Sequence, residues 1–413
     1  MDPLTAESRV IQPDIRPPMV PNRCARLKPS TSGPVSVSAR LTTAVSHVVR
    51  VRRVGPVARS STQLPSMTGR DTLPTSATGP LVVGLDVGGT AINATVVDTS
   101  RRFLIDGLCE TRSRVLEGPD ATIEALASAL GGVISQAGVP TDDVVAVGLD
   151  SPGPASADGV ISIRGGTNFP DPPWPGYDLR SALEARIGLP VTYMNDANAA
   201  ALYAHDRHFG GNGVGRSSVS AIVGTGLGGG IVINGAVVTG AAGMGGELGH
   251  VHLQMDGLLE PDQPRPVCNC GFDGDAESIA SLKGIERNLL PYWLSRYPDH
   301  ELLGVESRRA AVAVRGLAER GDPMALAILR QQAVAIGRLF TIAANFIDAH
   351  AYFVGGGIVE TTTALRDWYV GAVGENIVLR HEQREVATVA VVPDLDMAGA
   401  RGAALAALVA ASV

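Results

Sequence analysis

The sequence predicts an α/β protein whose two related lobes face each other across a cleft. Apolar strands alternate with amphipathic helices through most of the chain, a pattern typical of a mainly parallel sheet flanked by helices. A strand, a glycine-rich turn and a second strand occur twice, at 81–98 and at 218–238. We interpret these hairpins as a duplicated unit that opens each lobe. The predicted small lobe spans 81–195 with a C-terminal helix at 398–413, and the predicted large lobe spans 196–397.

The predicted elements follow in chain order. "LVVGLDVGGTAINATVVD" contains two alternating strands, a third strand is expected near Phe103–Cys109, and a helix at about 121–136 precedes the strand "VVAVGLD". A helix near Leu179–Ile187 and the strand "VTYMND" complete the first half. "SSVSAIVGTGLGGGIVINGAVV" opens the second half, and "AYFVGGGI", "TVAVVP" and the small-residue helix "AGARGAALAALVA" close it. Long helices are predicted between the second hairpin and "AYFVGGGI", at about 276–296, 307–319 and 323–346.

The first 80 residues differ in composition from the rest of the chain. They hold 11 of the 27 prolines and 11 of the 34 Lys and Arg residues but 4 of the 41 Asp and Glu residues, a net charge of +7. Because they show no sustained periodicity, we predict that they are disordered. Two explanations are open: an Arg-rich and Ser-rich organelle transit peptide, or a start codon assigned too early, with the working protein beginning at Met67 or nearby.

Charge, hydropathy and cysteine content exclude several classes of function. The remaining residues carry a net charge of −14, which argues against a nucleic-acid partner because such a surface needs clustered Lys and Arg. No apolar run is expected to reach the roughly 20 residues of a membrane helix, so no membrane partner is predicted. Four scattered cysteines are too few for a disulfide framework and favour a reducing, cytoplasmic location. The composition suits an enzyme of small molecules.

Three glycine clusters are candidate phosphate-binding turns: "DVGGT", "GTGLGGG" and "VGGGI". Each follows an apolar strand, where backbone N–H groups can surround an anion. They do not form a Walker P-loop, which needs a Lys-Ser/Thr pair. One such hairpin alone is commonly just a tight turn, but three in one chain predict phosphate binding. Asp86 is then placed to hold a hydrated Mg²⁺, and Thr90 and Thr225 to donate hydroxyl hydrogen bonds.

Candidate catalytic and ligand-binding groups lie in three short segments. "YMNDANAAAL" places Asn195 and Asp196 where a strand ends and a helix begins, as is common for active-site residues of α/β proteins. Two roles are open for Asp196, a cap of that helix or a general base. Asn168 in "GGTNFP", and Glu247 and His250 in "GGELGH", are further polar groups that can bind a hydroxylated ligand. Asn168 alone also fits an ordinary turn residue.

The segment "CNCGFDGDAE" is a candidate metal site. Cys268 and Cys270 are one residue apart, and Asp275 follows where a third soft ligand is expected. These three residues are potential Zn²⁺ ligands, although a carboxylate is a harder donor than a thiolate and lowers the affinity. A loop closed by hydrogen bonds without metal is the alternative. His252 is a potential substitute ligand.

From about residue 81 to the C-terminus the chain resembles the ROK family of sugar kinases and repressors. The motifs "DVGGT", "SPGP", "NDANAAAL", "GTGLGGG", "GGELGH", "CNCGFDGDAE" and "FVGGGI" stand in the order of that family. The resemblance implies the actin-like ATPase fold, related to ribonuclease H, with a cleft between two lobes. It also implies ATP and Mg²⁺ as cofactors, a structural Zn²⁺, and a homodimer or homotetramer.

The resemblance assigns roles to individual residues, with Asp196 as the general base. Two departures from the family pattern are Ala91, where many members have Lys, and Asp275, where CxCGxxGCxE has its third cysteine. The implied sugar contacts are Gly153, Asn168, Asn195, Glu247, His250 and Glu277. The implied nucleotide contacts are Asp86, Gly88, Gly89, Thr90, Thr225, Gly226, Gly355 and Gly356. The implied metal ligands are His250, Cys268, Cys270 and Asp275.

The function that the resemblance implies is that of an ATP-dependent hexose kinase. A glucokinase that makes a sugar 6-phosphate is the leading hypothesis. The alternatives are a kinase of N-acetylmannosamine, N-acetylglucosamine, fructose or allose, and a glucokinase that uses polyphosphate. A sugar-responsive transcriptional repressor is a further alternative, but it requires an N-terminal winged helix, which the proline-rich first 80 residues do not resemble.

Overall fold

The computed structural model describes residues 79–164, 168–170, 172–210 and 213–411. The predictions made for the first 80 residues therefore fall almost entirely outside the described part of the chain. The described elements form two five-stranded sheets with helices packed on them. The fold class is the α/β arrangement that the sequence predicts.

The first sheet has the strand order β3-β2-β1-β4-β5. Its strands β1, β2 and β3 are antiparallel neighbours, whereas β1, β4 and β5 run parallel. The third strand was predicted too early, because Phe103 makes only an isolated bridge to Val97. The elements of this half are β1 (Leu81–Val87), β2 (Ala91–Asp98), β3 (Glu110–Arg112), α1 (Pro119–Ala137), β4 (Val144–Ser151), α2 (Leu179–Ile187) and β5 (Val191–Asn195).

The second sheet has the strand order β10-β9-β6-β7-β8 and repeats the opening of the first. In both sheets an antiparallel hairpin turns at glycines, and its first strand pairs in parallel with a later strand. The duplicated hairpin inferred from the sequence is therefore present. The strands are β6 (Ser218–Val223), β7 (Leu227–Ile233), β8 (Ala236–Val237), β9 (Ala351–Gly355) and β10 (Thr388–Val391). The helices that follow α2 are α3 (Asp196–Phe209), α4 (Leu282–Gly284), α5 (Leu290–Arg296), α6 (Ser307–Glu319), α7 (Pro323–Ile347), α8 (Thr363–Glu375), α9 (His381–Val386) and α10 (Leu395–Ala410).

One predicted helical segment and one expectation about apolar runs differ from the structure. The helix expected from residue 276 begins only at Leu282, where Ser281 caps it, and α4 continues through a π-helical turn at Ile285–Leu289 into α5. Helix α7 is long and apolar enough to cross a membrane by length and composition, which the sequence analysis expected of no segment. However, 61% of its most apolar 18-residue window is buried inside the protein, as in the core helix of a globular domain.

Small residues let α10 pack very close to the first sheet and to α3. A Cβ added at Gly84 of β1 would lie 1.9 Å from the carbonyl oxygen of Ala400, and one at Gly402 would lie 1.8 Å from that of Ala199. Such distances leave room only for glycine. Apolar side chains of α3 and α10 form one cluster with β9. The two helices therefore connect the sheets, while the exact lobe boundaries remain a prediction.

Candidate active site

Three neighbouring parallel strands of the first sheet each lead to an aspartate. Asp86 in β1 pairs in register with Asp150 in β4, and Asp196 follows the last residue of β5. Helix α10 approaches this edge so closely that a Cβ at Gly399 would be 2.9 Å from a carboxylate oxygen of Asp86 and 3.2 Å from one of Asp150. Because carboxyl ends of parallel strands meet at one edge, the three carboxyl groups form a cluster. We call it the strand-end acid cluster.

Asp150 is a site residue that the sequence analysis missed. Its side chain is fully buried, and neither carboxylate oxygen has a hydrogen-bond partner. The available signal was its position near the end of an apolar strand in "VGLDSPGP", as Asp196 stands near the end of "VTYMND". The proximity of Asp86 follows from the strand order, which the sequence analysis did not specify.

Burial disfavours the fully ionised form of the strand-end acid cluster. Burial raises the pKa of Asp86 and, reinforced by the charge of Asp86, raises that of Asp150 well above its ordinary value. Burial, followed by the charge of Asp86, raises the pKa of Asp196 to about 7. Carboxylates this close need a shared proton or a cation between them. Mg²⁺ prefers carboxylate oxygens, so Asp86 fits the predicted role near a hydrated Mg²⁺.

The capping role considered for Asp196 belongs mainly to its neighbour. Asn195 is the N-cap of α3, and its Oδ1 accepts the Ala197 N–H at 3.0 Å. Asp196 occupies the first helical position, where its Oδ1 accepts the same N–H at 2.7 Å. That bond lowers the pKa of Asp196 but is outweighed by burial. A carboxylate with a pKa near 7 can accept a proton at neutral pH.

The first glycine turn lies beside the predicted sugar-binding residue Asn168. The Gly88 N–H donates to the Ala91 carbonyl oxygen at 2.8 Å and closes the turn, which leaves Thr90 exposed. A Cβ at Gly89 would stand 3.0 Å from the Cβ of Asn168. Gly153 lies against Asn195 in the same way, because a Cβ there would be 3.0 Å from Asn195 Nδ2. Asn168 thus adjoins the first turn, and Gly153 adjoins Asn195.

The loop that carries Asn168 is anchored by aromatic side chains. Phe169 and Trp174 are buried and their rings lie 4.6 Å apart. The indole N–H of Trp174 donates to the Val115 carbonyl oxygen at 3.1 Å. This anchor fixes the position of Asn168, whose φ of 69° is in the left-handed region that asparagine tolerates. The turn role and the binding role suggested for Asn168 are therefore compatible.

The second and third glycine turns lie against each other in the second sheet. The second turn closes through the Gly224 N–H and the Gly226 carbonyl oxygen at 3.0 Å, and Thr225 is exposed. In the third turn, Gly356 has a φ of 94°, and a Cβ there would be 2.0 Å from the Val223 carbonyl oxygen. Only glycine fits, so the third turn, which includes Gly355, adjoins the end of β6 beside the second.

The four predicted metal ligands come together. One ligand atom from each of His250, Cys268, Cys270 and Asp275 lies within 4.8 Å of the other three. Asp275 Oδ2 is 3.1 Å from His250 Nδ1 and 3.6 Å from Cys270 Sγ. We call this group the CCHD cluster.

The CCHD cluster fits a tetrahedral metal ion. Zinc bonds of about 2.0–2.3 Å place tetrahedral ligand atoms roughly 3.3–3.8 Å apart, and three separations within the cluster, 3.1, 3.6 and 3.9 Å, are close to that range. Asp275 is fully buried, and its Oδ1 accepts the Ser278 N–H at 2.9 Å, which directs Oδ2 toward the other ligands. Burial raises the pKa of Cys268, so a bound cation is what would keep this sulfur as a thiolate. The substitute ligand His252 stands outside the cluster, with its ring 5.7 Å from that of Phe272.

Glu277 links the CCHD cluster to the second glycine turn. Its Oε2 accepts the Leu227 N–H at 2.8 Å, and the Cys268 thiol donates to its Oε1 at 3.4 Å. A Cβ at Gly226 would lie 2.5 Å from Glu277 Oε2, so a larger residue there would displace the Glu277 carboxylate. Glu277 therefore contacts the turn directly, in addition to any sugar contact that the family pattern implies.

Glu247 and His250 belong to a short segment that is tied to the same region. Glu247 precedes the 3₁₀ turn Leu248–His250 and His250 ends it, and the Glu277 N–H donates to the Gly249 carbonyl oxygen at 2.8 Å. Burial raises the pKa of Glu247, and its charge in turn raises that of Asp196. The charges of Glu247 and Asp196 therefore influence each other.

Comparison with known proteins identifies the family. A profile described as the ROK family matches residues 82–410. The chain belongs to the ROK family. It is 33% identical over 310 residues to a glucokinase of Streptomyces coelicolor, and the aligned region covers 70% of this chain and 89% of that protein. It is 32% identical over 295 residues to an N-acetyl-D-glucosamine kinase of Citrobacter koseri, which covers 69% of this chain and 87% of that protein.

A solved structure agrees with this assignment. A ROK family glucokinase from Streptomyces griseus, crystallised with glucose and AMPPNP, matches with a TM-score of 0.59 at 29% identity. The match covers 79% of this chain and 99% of that one. The ROK chain described here has the actin-like ATPase fold, as the sequence resemblance implied. It is a sugar kinase, an ATP-dependent phosphotransferase.

Proposed function

We propose that this ROK kinase transfers the γ-phosphoryl group of ATP to the 6-hydroxyl of glucose, with Asp196 as the general base. The observation that carries the proposal is the position of Asp196 at the edge of the strand-end acid cluster, with a pKa raised to about 7. The Streptomyces glucokinases and the bound glucose and AMPPNP in one of them support glucose as the acceptor. The roles given below to the individual site residues are part of this proposal.

The proposed reaction needs one proton acceptor and an aligned donor. The sugar 6-hydroxyl oxygen attacks the γ-phosphorus, the bond from that phosphorus to the β-bridging oxygen breaks, and ADP leaves. The hydroxyl proton passes to a carboxylate oxygen of Asp196. When bound, Mg²⁺ would supply positive charge to the phosphates, and Asp86 is the residue that would hold it. The backbone N–H groups of the first and second glycine turns would hold the phosphates.

The sugar is proposed to lie between the small-lobe and large-lobe contacts. Asn168, Asn195 and the backbone of Gly153 supply one side, and Glu247 and His250 supply the other. A hexose presents hydroxyls at fixed angles, and amide and carboxylate groups can each satisfy two of them. Water exclusion by this arrangement would protect the transferred phosphoryl group from hydrolysis.

We assign the CCHD cluster a structural role with Zn²⁺. Its ligands would fix the segment that carries His250 and the carboxylate of Glu277, and no reacting atom is assigned to it. This interpretation leaves His250 Nε2 for the sugar, because Nδ1 faces Asp275. The cytoplasmic location and the homodimer or homotetramer remain predictions.

A second candidate acceptor is N-acetylglucosamine. The relative from Citrobacter koseri, a kinase of that amino sugar, matches over nearly the same share of the chain as the glucokinase does. Both acceptors present a 6-hydroxyl, so the same base and donor site would serve either. They differ in the 2-acetamido group, for which the amino sugar needs additional room.

The deciding experiment is ADP release from ATP and Mg²⁺, measured with one sugar at a time. Glucose, mannose, fructose, N-acetylglucosamine and N-acetylmannosamine form the series, and glucose is expected to give the highest kcat/KM. A higher value with an N-acetyl sugar would replace the acceptor and keep the kinase. Turnover with polyphosphate but not with ATP would replace the donor. Inertness toward all sugars with both donors would refute the proposal.

A further inference from the structure

The glycine turns proposed to bind phosphate lack a cation of their own. Neither "DVGGT" nor "GTGLGGG" contains Lys or Arg, and the position after the first turn is Ala91. A nucleoside triphosphate carries several negative charges, which Mg²⁺ only partly neutralises. Among the described residues, Arg308 is the cation whose side chain hydrogen-bonds to a side chain of either turn, through Nη2 and Thr225 Oγ1 at 3.4 Å.

Arg308 is held near the second turn but remains accessible. Its Nη1 is 3.4 Å from Glu286 Oε2, in an ion pair whose Arg308 side chain is 40% exposed. Helix α6 begins at Ser307, and the carboxylate of the N-cap Glu306 accepts the backbone N–H groups of Arg308 and Arg309 at 2.9 and 2.8 Å. The first backbone donors of the helix are thus occupied, and the guanidinium is the group left for an anion.

Two other arginines of α6 provide internal comparisons. Arg309 is adjacent and exposed. Arg315, two helical turns after Arg308, donates to the carbonyl oxygen of Gly357 at 2.5 Å, beside the third glycine turn. Arg315 is therefore committed to the backbone of a loop, whereas the partners of Arg308 are a hydroxyl and one carboxylate.

We infer that Arg308 binds the terminal phosphates of the nucleoside triphosphate, next to Thr225 of the second glycine turn. The inference rests on the proposed kinase function and adds a donor-binding residue to it. A guanidinium can give two parallel N–H···O bonds to a phosphoryl group, a geometry that Lys cannot reproduce. The phosphate and the Glu286 carboxylate compete for the Arg308 guanidinium, so the ion pair with Glu286 weakens nucleotide binding.

The test is calorimetric binding of AMPPNP and of AMP to the full chain, with Mg²⁺ and saturating glucose. Arg308→Ala is expected to weaken AMPPNP binding about 10- to 100-fold, as for loss of a charge-assisted hydrogen bond, and to leave AMP binding within about twofold. Arg308→Lys should recover part of the loss. The matched control Arg309→Ala should bind both nucleotides like the unsubstituted protein. Glu286→Gln should bind AMPPNP more tightly, because it frees the guanidinium.

Three results would overturn the assignment of Arg308. They are unchanged AMPPNP affinity in Arg308→Ala, an equal loss for AMP and AMPPNP, and an equal loss in Arg309→Ala. Failure of the unsubstituted protein to bind AMPPNP would overturn the proposed function together with this assignment. Thermal unfolding of each variant accompanies the binding data, and Arg308→Lys carries the test if the alanine variant does not fold.

Discussion

The strand-end acid cluster and the CCHD cluster are both small groups of ionisable side chains, but they are built in opposite ways. Strand register brings the acids together, and both oxygens of Asp150 are left without a hydrogen-bond partner. Loop spacing brings the CCHD ligands together, and Asp275 is held by a backbone donor. Close carboxylates repel one another and shift their pKa values, whereas mixed nitrogen, sulfur and oxygen donors suit one metal ion. The first arrangement favours proton transfer, and the second favours structural support.

The largest expected effect comes from removing the base in the first cluster. Asp196→Asn keeps the size and the polar oxygen but cannot accept the hydroxyl proton, so kcat should fall by about 10²–10⁴-fold. Glucose affinity, measured by tryptophan fluorescence or calorimetry, should change little. The exposed Asp142→Asn is the matched control and should retain full turnover. Near-normal kcat in Asp196→Asn would remove Asp196 from the base role and with it the contrast between the clusters.

The pH dependence of turnover should report the same group. Asp196 has a raised pKa of about 7, and the base works only when ionised, so kcat/KM for glucose should rise with pH and level off above about 7. Below that value the rate should fall about tenfold per pH unit. Initial rates at saturating ATP and Mg²⁺ in constant-ionic-strength buffers between pH 5 and 9 measure the profile. A profile that is flat down to pH 5 would contradict the raised pKa.

Substitution in the CCHD cluster should alter metal retention more than chemistry. Asp275→Cys supplies a softer donor, so zinc should survive a higher chelator concentration, by about 10- to 100-fold. Asp275→Ala should lose zinc, and its glucose KM should rise while kcat changes less. Elemental analysis after chelator dialysis gives the metal content, with the exposed Asp273→Ala as control. Absence of zinc from folded, active, unsubstituted protein would assign the cluster to hydrogen bonding alone.

The sequence could predict the CCHD cluster but not the whole strand-end acid cluster. Cys268, Cys270 and Asp275 are close in sequence, so spacing alone shows that they can share one ion, and family resemblance supplied His250. The contact of Asp86 with Asp150 depends on β1 lying beside β4, a non-local pairing that no local pattern reveals. The third strand was misplaced for a related reason. A three-residue edge strand carries too few alternating positions to be distinguished from a loop.

The contacts of Glu277 and Arg308 could not be predicted for the same reason, because they join segments that are distant in the sequence. The sequence assigned Glu277 to the sugar through its motif, but its contact with the Leu227 N–H requires the fold of the second sheet. Arg308 lies 83 positions from Thr225, and nothing in "SRRAAVAV" distinguishes it from Arg309. Motifs thus indicate which kinds of site are present, whereas contacts between distant segments decide which side chains come together in each site.

The smallest expected effect is on the free energy of unfolding and comes from Asp150 in the strand-end acid cluster. The folded-state pKa of Asp150 is raised above its unfolded value, so the folded protein retains a proton that the unfolded chain has lost. Stability from this group is therefore fully present below the unfolded pKa and is lost as pH rises toward the folded one. Asp150→Asn keeps the shape without the charge. Its free energy of unfolding should exceed that of the unsubstituted protein at pH 8 by an amount on the order of 1 kcal/mol, the usual size of a single-substitution effect, because the variant takes up no proton on folding.

Urea unfolding at pH 4.5 and pH 8 measures this difference. The gain in Asp150→Asn should shrink at the lower pH, where Asp150 is neutral in the folded protein and less ionised in the unfolded chain than at pH 8. The exposed Asp142→Asn should change stability little at either pH. A gain that is equal at both pH values would show that amide hydrogen bonding, and not the avoided charge, stabilises the variant. A loss at pH 8 would show that the carboxylate of Asp150 is ionised and paired with a cation, which would make the acid cluster resemble the CCHD cluster after all.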